Sequence, residues 1–289
     1  MIMTRGQKIF NICNIVFLGA IGLSMVLPLI HIIAQSLSNS VAINAGQVSF
    51  WPVGFTLGSY KLILQDPSIW VGFRNSATIT VFGTLINLLM TAMLAYPLSR
   101  PEYVYRKTVL LFVLFTLVFS APLIPNYLLV KQLALLDTLW ALMLPMAISA
   151  FNLFVMRSFF MNLPGELIDS AKMDGCGEFR IFWKIVLPLS KPAMATMGII
   201  YAVAHWNRYA EAVFYISDRR WIPLQVRLRE IVFTDQYGQS DVTSELLVML
   251  SPEGIKMAVI VVATLPIMLV YPFLQKHFIQ GMLVGSIKS

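Results

Sequence analysis

The sequence predicts an all-α membrane protein of six transmembrane helices. Three observations predict it. Of the 289 residues, 58% are apolar and only 12% charged, where a soluble domain runs near half and a quarter. Mean hydropathy is +0.76. The apolar residues fall in long runs separated by proline and basic clusters. Six spans of about 20 residues each fit this length and leave room for loops. The composition excludes a water-soluble enzyme and a disordered chain. The formal charge of +7 points to basic cytoplasmic loops and anionic headgroups before nucleic acid.

Span one is expected over Ile9 to Ala34, after a short terminus, residues 1–8, that carries Arg5 and Lys8. The run exceeds a signal-peptide core and no small-residue cleavage pattern follows, so it reads as a retained span. Asn11 and Asn14 fall where headgroups lie. Span two is expected over Ser76 to Leu98, closed by Pro97 and Pro101, and span three over Thr108 to Leu123. The apolar stretch IPNYLLVKQLALLD that follows is expected to lie along the membrane surface. Spans four, five and six are expected over Leu139 to Met156, Ala193 to Ile216 and Met257 to Leu274. Pro28, Pro145 and Pro266 are tolerated where neighbouring helices satisfy the freed carbonyl. The membrane domain is thus 9–275, with a C-terminal tail at 276–289.

Orientation follows from Lys and Arg. With six spans both termini share one side, which collects twelve basic residues against nine on the other. Six of those nine belong to one long loop or its edge, and short loops are decisive. Both termini therefore read as cytoplasmic. Cys13 and Cys176 show neither a disulfide framework nor metal spacing. His31, His205 and His277 are too far apart in sequence to suggest zinc.

Between spans four and five lies a long basic loop, 163–192, read as cytoplasmic. Pro164 opens a helical turn with Glu166 near its positive end. Glu166 to Met173 reads as a short helix stopped at Gly175. Glu178 to Val186 reads as a second, ended by Pro188. The pair is either a solvated amphipathic connector or a docking surface.

Here the sequence resembles a known family. Asp169-Ser170-Ala171, then two residues, Asp174-Gly175-Cys176, then Ile185, Leu187 and Pro188, look like the cytoplasmic EAA loop of ABC importer permeases. That loop reads Glu-Ala-Ala, two residues, Asp-Gly-Ala, and later Ile, any residue, Leu-Pro. The Gly175-to-Pro188 spacing of 13 agrees, and Phe182 falls where the family has an aromatic. Asp169, Ser170 and Cys176 depart from it, each small or charge-preserving. The carbohydrate branch of the family looks similar at WPVGFTLGSY, LLDTLWALMLP, HWNRYAEAVFYISD, IPLQVRLREIV and YPFLQKHFIQGMLVGSIKS, so the resemblance covers nearly the full length.

The resemblance implies the six-helix type I importer permease fold, in the plasma (inner) membrane of a bacterium. It implies the membrane subunit of an ATP-driven, binding-protein-dependent oligosaccharide importer, forming half of the translocation pathway. The implied partners are a second homologous permease, two copies of a cytoplasmic ATPase, an extracellular or periplasmic sugar-binding protein and membrane lipid, but no nucleic acid. No Gly-x4-Gly-Lys-Ser/Thr motif occurs, so ATP and Mg are assigned to the partner and no cofactor to this chain. Coupling to the ATPase is carried to Asp169, Ala171, Asp174, Gly175, Phe182, Leu187 and Pro188. Asp174 is suited to cap the second helix or to pair with a basic residue of the partner.

On the substrate side, span five offers Trp206, Asn207 and Tyr209. Aromatic faces stack on sugar rings and amides bond hydroxyls; an interfacial aromatic belt is the alternative. Arg208 suits snorkelling to headgroups, and His205 suits packing. Arg219, Arg220, Arg227 and Arg229 suit an acidic sugar or headgroups equally. A permease for a non-sugar solute is the main rival. A secondary transporter would show mid-span charges and repeats, and a membrane enzyme would show paired carboxylates, His clusters or a nucleophile elbow.

Overall fold

The computed structural model describes residues 5–233 and 250–286. The expected terminal segments 1–8 and 276–289 lie partly outside these, at residues 1–4 and 287–289. The chain divides into two compact units, Met1–Ile69 with Leu228–Pro266, and Trp70–Arg227 with Ile267–Ser289. Every regular element among the described residues is helical.

Helix α1, Arg5–Ser36, continues through Pro28. None of its most apolar window is buried, with Phe10, Ile15 and Met25 each 70% exposed. Acyl chains are the solvent such a surface needs. In the same unit, Asn39 accepts the Ala42 N–H and so caps α2, Ser40–Asn44. Ala34, Ala42, Ile43 and Val48 close a small core there. Helix α3 is Gly58–Gln65.

In the second unit the expected spans take shapes that a hydropathy run does not show. Span two belongs to α4, Pro67–Ser99, which starts nine residues before Ser76. Span three ends early: α5, Arg106–Val118, stops before Ser120 and Pro122, and α6, Leu123–Gln132, turns away by 118°. Pro122 lacks an N–H to continue α5 and instead forms the N-cap of α6. Span four is not one helix. It breaks around Pro145 into α7, Trp140–Met143, and α8, Ala150–Met161. Span five likewise breaks at Asn207 to Tyr209, between α12, Lys191–Trp206, and α13, Ala210–Tyr215. Helix α14 is Leu224–Phe233. Helix α15, Pro252–Ser286, starts among residues of the first unit and runs past Leu274 through most of the expected tail. Among the described residues, three helices are thus long and apolar enough to cross a bilayer, or up to five if each of two bent pairs is one span.

The 163–192 loop folds into α9, Gly165–Met173, and α10, Glu178–Ile181, followed by one π turn, Phe182–Val186, and α11, Leu187–Leu189. Pro188 therefore does not end the second helix. The π turn, with the Leu187 N–H bonded to the Phe182 carbonyl, widens the backbone just before Pro188 and accommodates its ring. The chain then kinks by 80° into α12. Ala92, Ala95, Tyr96 and Leu98 of α4, Leu153, Met156 and Phe160 of α8, and Ala193 and Met197 of α12 form one core with Ile168, Ala171, Ile181, Phe182 and Val186 of the hairpin.

Candidate functional site

The hairpin is fixed by its own turn. The Cys176 N–H bonds the Ala171 carbonyl at 2.9 Å and the Gly175 N–H bonds that of Lys172 at 3.0 Å. This is a Schellman end to α9, and it demands the left-handed φ of +76° seen at Gly175. Ala171 is 7% and Ile168 2% exposed, so α9 packs by the face they share. Leu167, at 47%, and Met173, at 89%, lie open, as do Asp169, Ser170 and Asp174. Phe182 is buried and Leu187 packs on the same core, while Pro188 is exposed. Asp174 does not cap the second helix: it is the C-cap of the first, and Gly177 holds the N-cap position of the second without a side-chain bond.

One residue that sequence reasoning passed over ties the hairpin together. Glu178 accepts from the Tyr96 hydroxyl of α4 at 2.7 Å and pairs with Lys172 of α9 at 2.9 Å. Arg100 stacks over the Tyr96 ring at 5.2 Å. Burial pushes the Glu178 carboxyl up, but the bonds from Tyr96 and Lys172 outweigh it and hold it below its ordinary value. The bond to Glu178 raises the Lys172 ammonium. Met93, Tyr96, Arg100, Lys172, Glu178 and Phe182 are among the residues lining a cleft of about 500 Å³ here.

The second constellation surrounds the two broken spans. The interruption between α7 and α8 frees backbone groups, and side chains of α4 and span five take them up. Asn87 donates to the Met146 carbonyl at 2.8 Å. The Ser149 N–H reaches the Tyr201 hydroxyl at 3.3 Å, which lies 2.7 Å from Thr91 Oγ1. Arg208 donates to the Leu142 carbonyl, so it closes the end of α7 rather than snorkelling. His205, 3% exposed, lies 3.1 Å from Asn87 Oδ1 and is the packing histidine expected. No spacing rule would have found Asn87 or Tyr201, because the backbone they serve is freed only by the break.

The expected sugar contacts separate. Trp206 is 7% exposed and meets Phe73 edge-on at 5.8 Å. Asn207 ends α12 with its amide nitrogen on the Val203 carbonyl at 3.0 Å, exposed. Tyr209 packs on a second core with Ile79, Val130, Leu142 and Tyr215. Beyond it, Asp137 accepts from the Ser217 and Asp218 N–H groups at 2.5 and 2.8 Å, joining two of the family-like segments. Of the basic cluster, Arg220 pairs with Asp218 at 2.6 Å, which lowers the Asp218 carboxyl, and Arg227 donates to the Arg219 carbonyl at 3.0 Å.

Residues 69–284 match the family described as "binding-protein-dependent transport system inner membrane component". The chain is 45% identical to protein LplC of Bacillus subtilis, over 99% of this chain and 97% of the relative. It is 44% identical to the polygalacturonan/rhamnogalacturonan transport system permease protein YtcP of the same organism, over 98% and 99%. Among solved structures it resembles a chain of a bacterial ABC transporter involved in the import of the acidic polysaccharide alginate. That likeness has a TM-score of 0.88 at 33% identity and covers 96% of this chain and 99% of the other.

Proposed function

This chain belongs to the family of binding-protein-dependent transport system inner membrane components, and from that premise we propose that it imports acidic oligosaccharides as one of two paired permeases. It is a multi-pass membrane protein, a transport component and not itself an enzyme. In our reading it crosses the membrane six times with both termini cytoplasmic. ATP and Mg sit on two copies of a separate ATPase, and an external binding protein delivers the solute. The second permease is a homologue rather than a second copy.

The observation that carries the coupling role is the two-faced helix α9. One face, Ile168 and Ala171, is sealed onto the core with α4 and α8. The other leaves Leu167 and Met173 uncovered on a loop outside the apolar spans. A packed interface moves as a body, so a groove of the ATPase that grips this face would pull on the spans. Asp169, Ala171, Asp174, Gly175, Phe182, Leu187 and Pro188 serve that contact, by facing the groove or by holding the hairpin. Of the three expected solute contacts, Asn207 faces the solute pathway in our reading, with Trp206 and Tyr209 packed behind it. The acidic substrate is favoured by the names of the relatives for polygalacturonan and alginate.

The test is reconstitution of the full complex in proteoliposomes. ATP-dependent uptake of short oligogalacturonides in preference to neutral oligosaccharides is expected. Uptake driven by an ion gradient without ATP would overturn the reading.

A further inference from the structure

Arg100 follows Ser99, the last residue of α4, and lies over the Tyr96 ring at 5.2 Å. Its Nε and Nη2 are both buried, and neither has a hydrogen-bond partner among the described residues. Nor does Arg100 form an ion pair with any of them. The acceptors around it are already in use. The Tyr96 carbonyl accepts from Ser99 Oγ at 2.6 Å. The Pro97 carbonyl accepts the Arg100 N–H at 3.1 Å, and the Leu98 carbonyl accepts from Arg157 Nε at 2.8 Å. The two Glu178 oxygens are divided between Tyr96 and Lys172. A buried cation without an acceptor is costly. Neighbouring subunits can only bury these nitrogens further, so the deficit does not depend on which surfaces this chain leaves open.

Nε and Nη2 share one edge of the planar guanidinium. Such an edge matches two oxygens of a single oxyanion, bound in parallel. Arg100 also lines the cleft of about 500 Å³ at the hairpin, a volume within the range of small-molecule sites. A turn of the guanidinium in its own plane keeps its face on Tyr96 and brings that edge to the cleft. Two further features select among oxyanions. Met93, Pro97, Phe179 and Phe182 give the cleft apolar lining. The cleft also begins where a long apolar helix ends, the depth at which basic pockets meet phospholipid headgroups.

We propose that the cleft beside Arg100 binds a phosphate ester, with two of its oxygens on Nε and Nη2. A phospholipid headgroup and a soluble phosphate ester share this chemistry, and the lipid alone also uses the apolar lining. An anion there holds Arg100 against Tyr96, whose hydroxyl holds Glu178 of the hairpin. The ligand thereby stiffens the joint between α4 and the hairpin. The site is independent of the solute that the complex carries.

The experiment uses the complex purified in detergent through a tag on this chain and stripped of bound lipid. Native mass spectrometry counts what rebinds from dioctanoyl phosphatidylglycerol, dioctanoylglycerol and glycerol 3-phosphate. The phosphate-bearing lipid should bind, and its phosphate-free counterpart should not. Arg100→Lys should weaken that binding about tenfold and Arg100→Met more, as loss of hydrogen bonds to a charged group requires. Lysine keeps the charge but lacks the paired edge, and it carries the test alone if Arg100→Met does not assemble. Arg100-dependent binding of phosphatidylglycerol without glycerol 3-phosphate assigns the site to lipid. Arg100-dependent binding of both assigns it to a soluble ester. Full retention of phosphatidylglycerol by either variant, with no Arg100-dependent binding of glycerol 3-phosphate, overturns the proposal. So does failure of the unsubstituted complex to bind either probe, which would leave the missing acceptor to a carboxylate of another subunit.

Discussion

His205 Nε2 lies 3.1 Å from Asn87 Oδ1, directly against a glycine. A Cβ added at Gly83 would stand 2.6 Å from the same Nε2. Asn87 gives its amide nitrogen to Met146, so its oxygen faces His205, and the histidine nitrogen is the donor. Glycine inside a helix ordinarily costs stability relative to alanine. At this position it is what admits the ring.

Gly83→Ala should therefore destabilise, against the helix-propensity trend, by about 1–3 kcal/mol from overpacking. Gly19→Ala in α1 is the control, since nothing lies within 4 Å of its Cβ. Thermal unfolding of the purified complex in detergent should show a lower midpoint for the first substitution only.

Asn87→Leu keeps much of the volume but strips two partners at once, the Met146 carbonyl and the His205 N–H. Each buried group left unpaired costs about 1–3 kcal/mol. A loss of stability larger than that of Thr116→Val is expected. The Thr116 hydroxyl bonds only its own helix, at the exposed Val113 carbonyl. Equal midpoints for the two variants would mean that the break does not depend on Asn87.

Gly175→Val tests the turn of the hairpin. At φ +76° any residue with a Cβ costs about 1 kcal/mol or more. A β-branched one would also swing α9 away from α10. The variant should reach the membrane, with lower ATP-driven uptake per molecule. Undiminished uptake by a well-expressed variant would remove Gly175 from the coupling role.

Glu178→Gln separates the two bonds of its carboxylate. Glutamine still accepts from Tyr96 but loses the charge that holds Lys172. A largely exposed ion pair is worth about 0–1 kcal/mol, so global stability should hardly move. Solute carried per ATP hydrolysed should fall, because α9 is held less firmly to α10. The pH dependence has a definite sign. The Glu178 carboxyl is lowered, so its contribution is complete above the ordinary glutamate value, about 4.3. It is lost only as pH falls through the lower folded value. A Glu178-dependent change in the coupling ratio between pH 6 and pH 8 would contradict this assignment.

Much of this was legible in the sequence. The hairpin was, because Gly175 and its Asp-Gly setting encode a turn by local backbone chemistry. The membrane-spanning, all-helical character was, because burial in lipid is a composition effect. The breaks in spans four and five were not, since hydropathy averages over Pro145 and over the polar Asn207-Arg208-Tyr209 without registering geometry. Glu178 was missed for a different reason. It meets Tyr96 82 residues away, and no local pattern announces a long-range partner.

Trp206 and Asn207 were expected to act alike on the solute, and the structure gives them different physics. Trp206 is buried against Phe73, so Trp206→Ala empties a packed site. It should cost about 3–5 kcal/mol of stability before any sugar is considered. Phe and Tyr at this position should restore most of that. Asn207 is exposed and, among the described residues, its side chain bonds only the Val203 carbonyl, so Asn207→Ala should leave unfolding nearly unchanged. Losing one hydrogen bond to a sugar hydroxyl costs about 1 kcal/mol, or a several-fold higher solute requirement. In reconstituted complexes the basal ATPase of Asn207→Ala should persist while stimulation by loaded binding protein falls. If Asn207→Ala instead blocks assembly with the second permease, the residue belongs to the interface and its place on the solute path is lost.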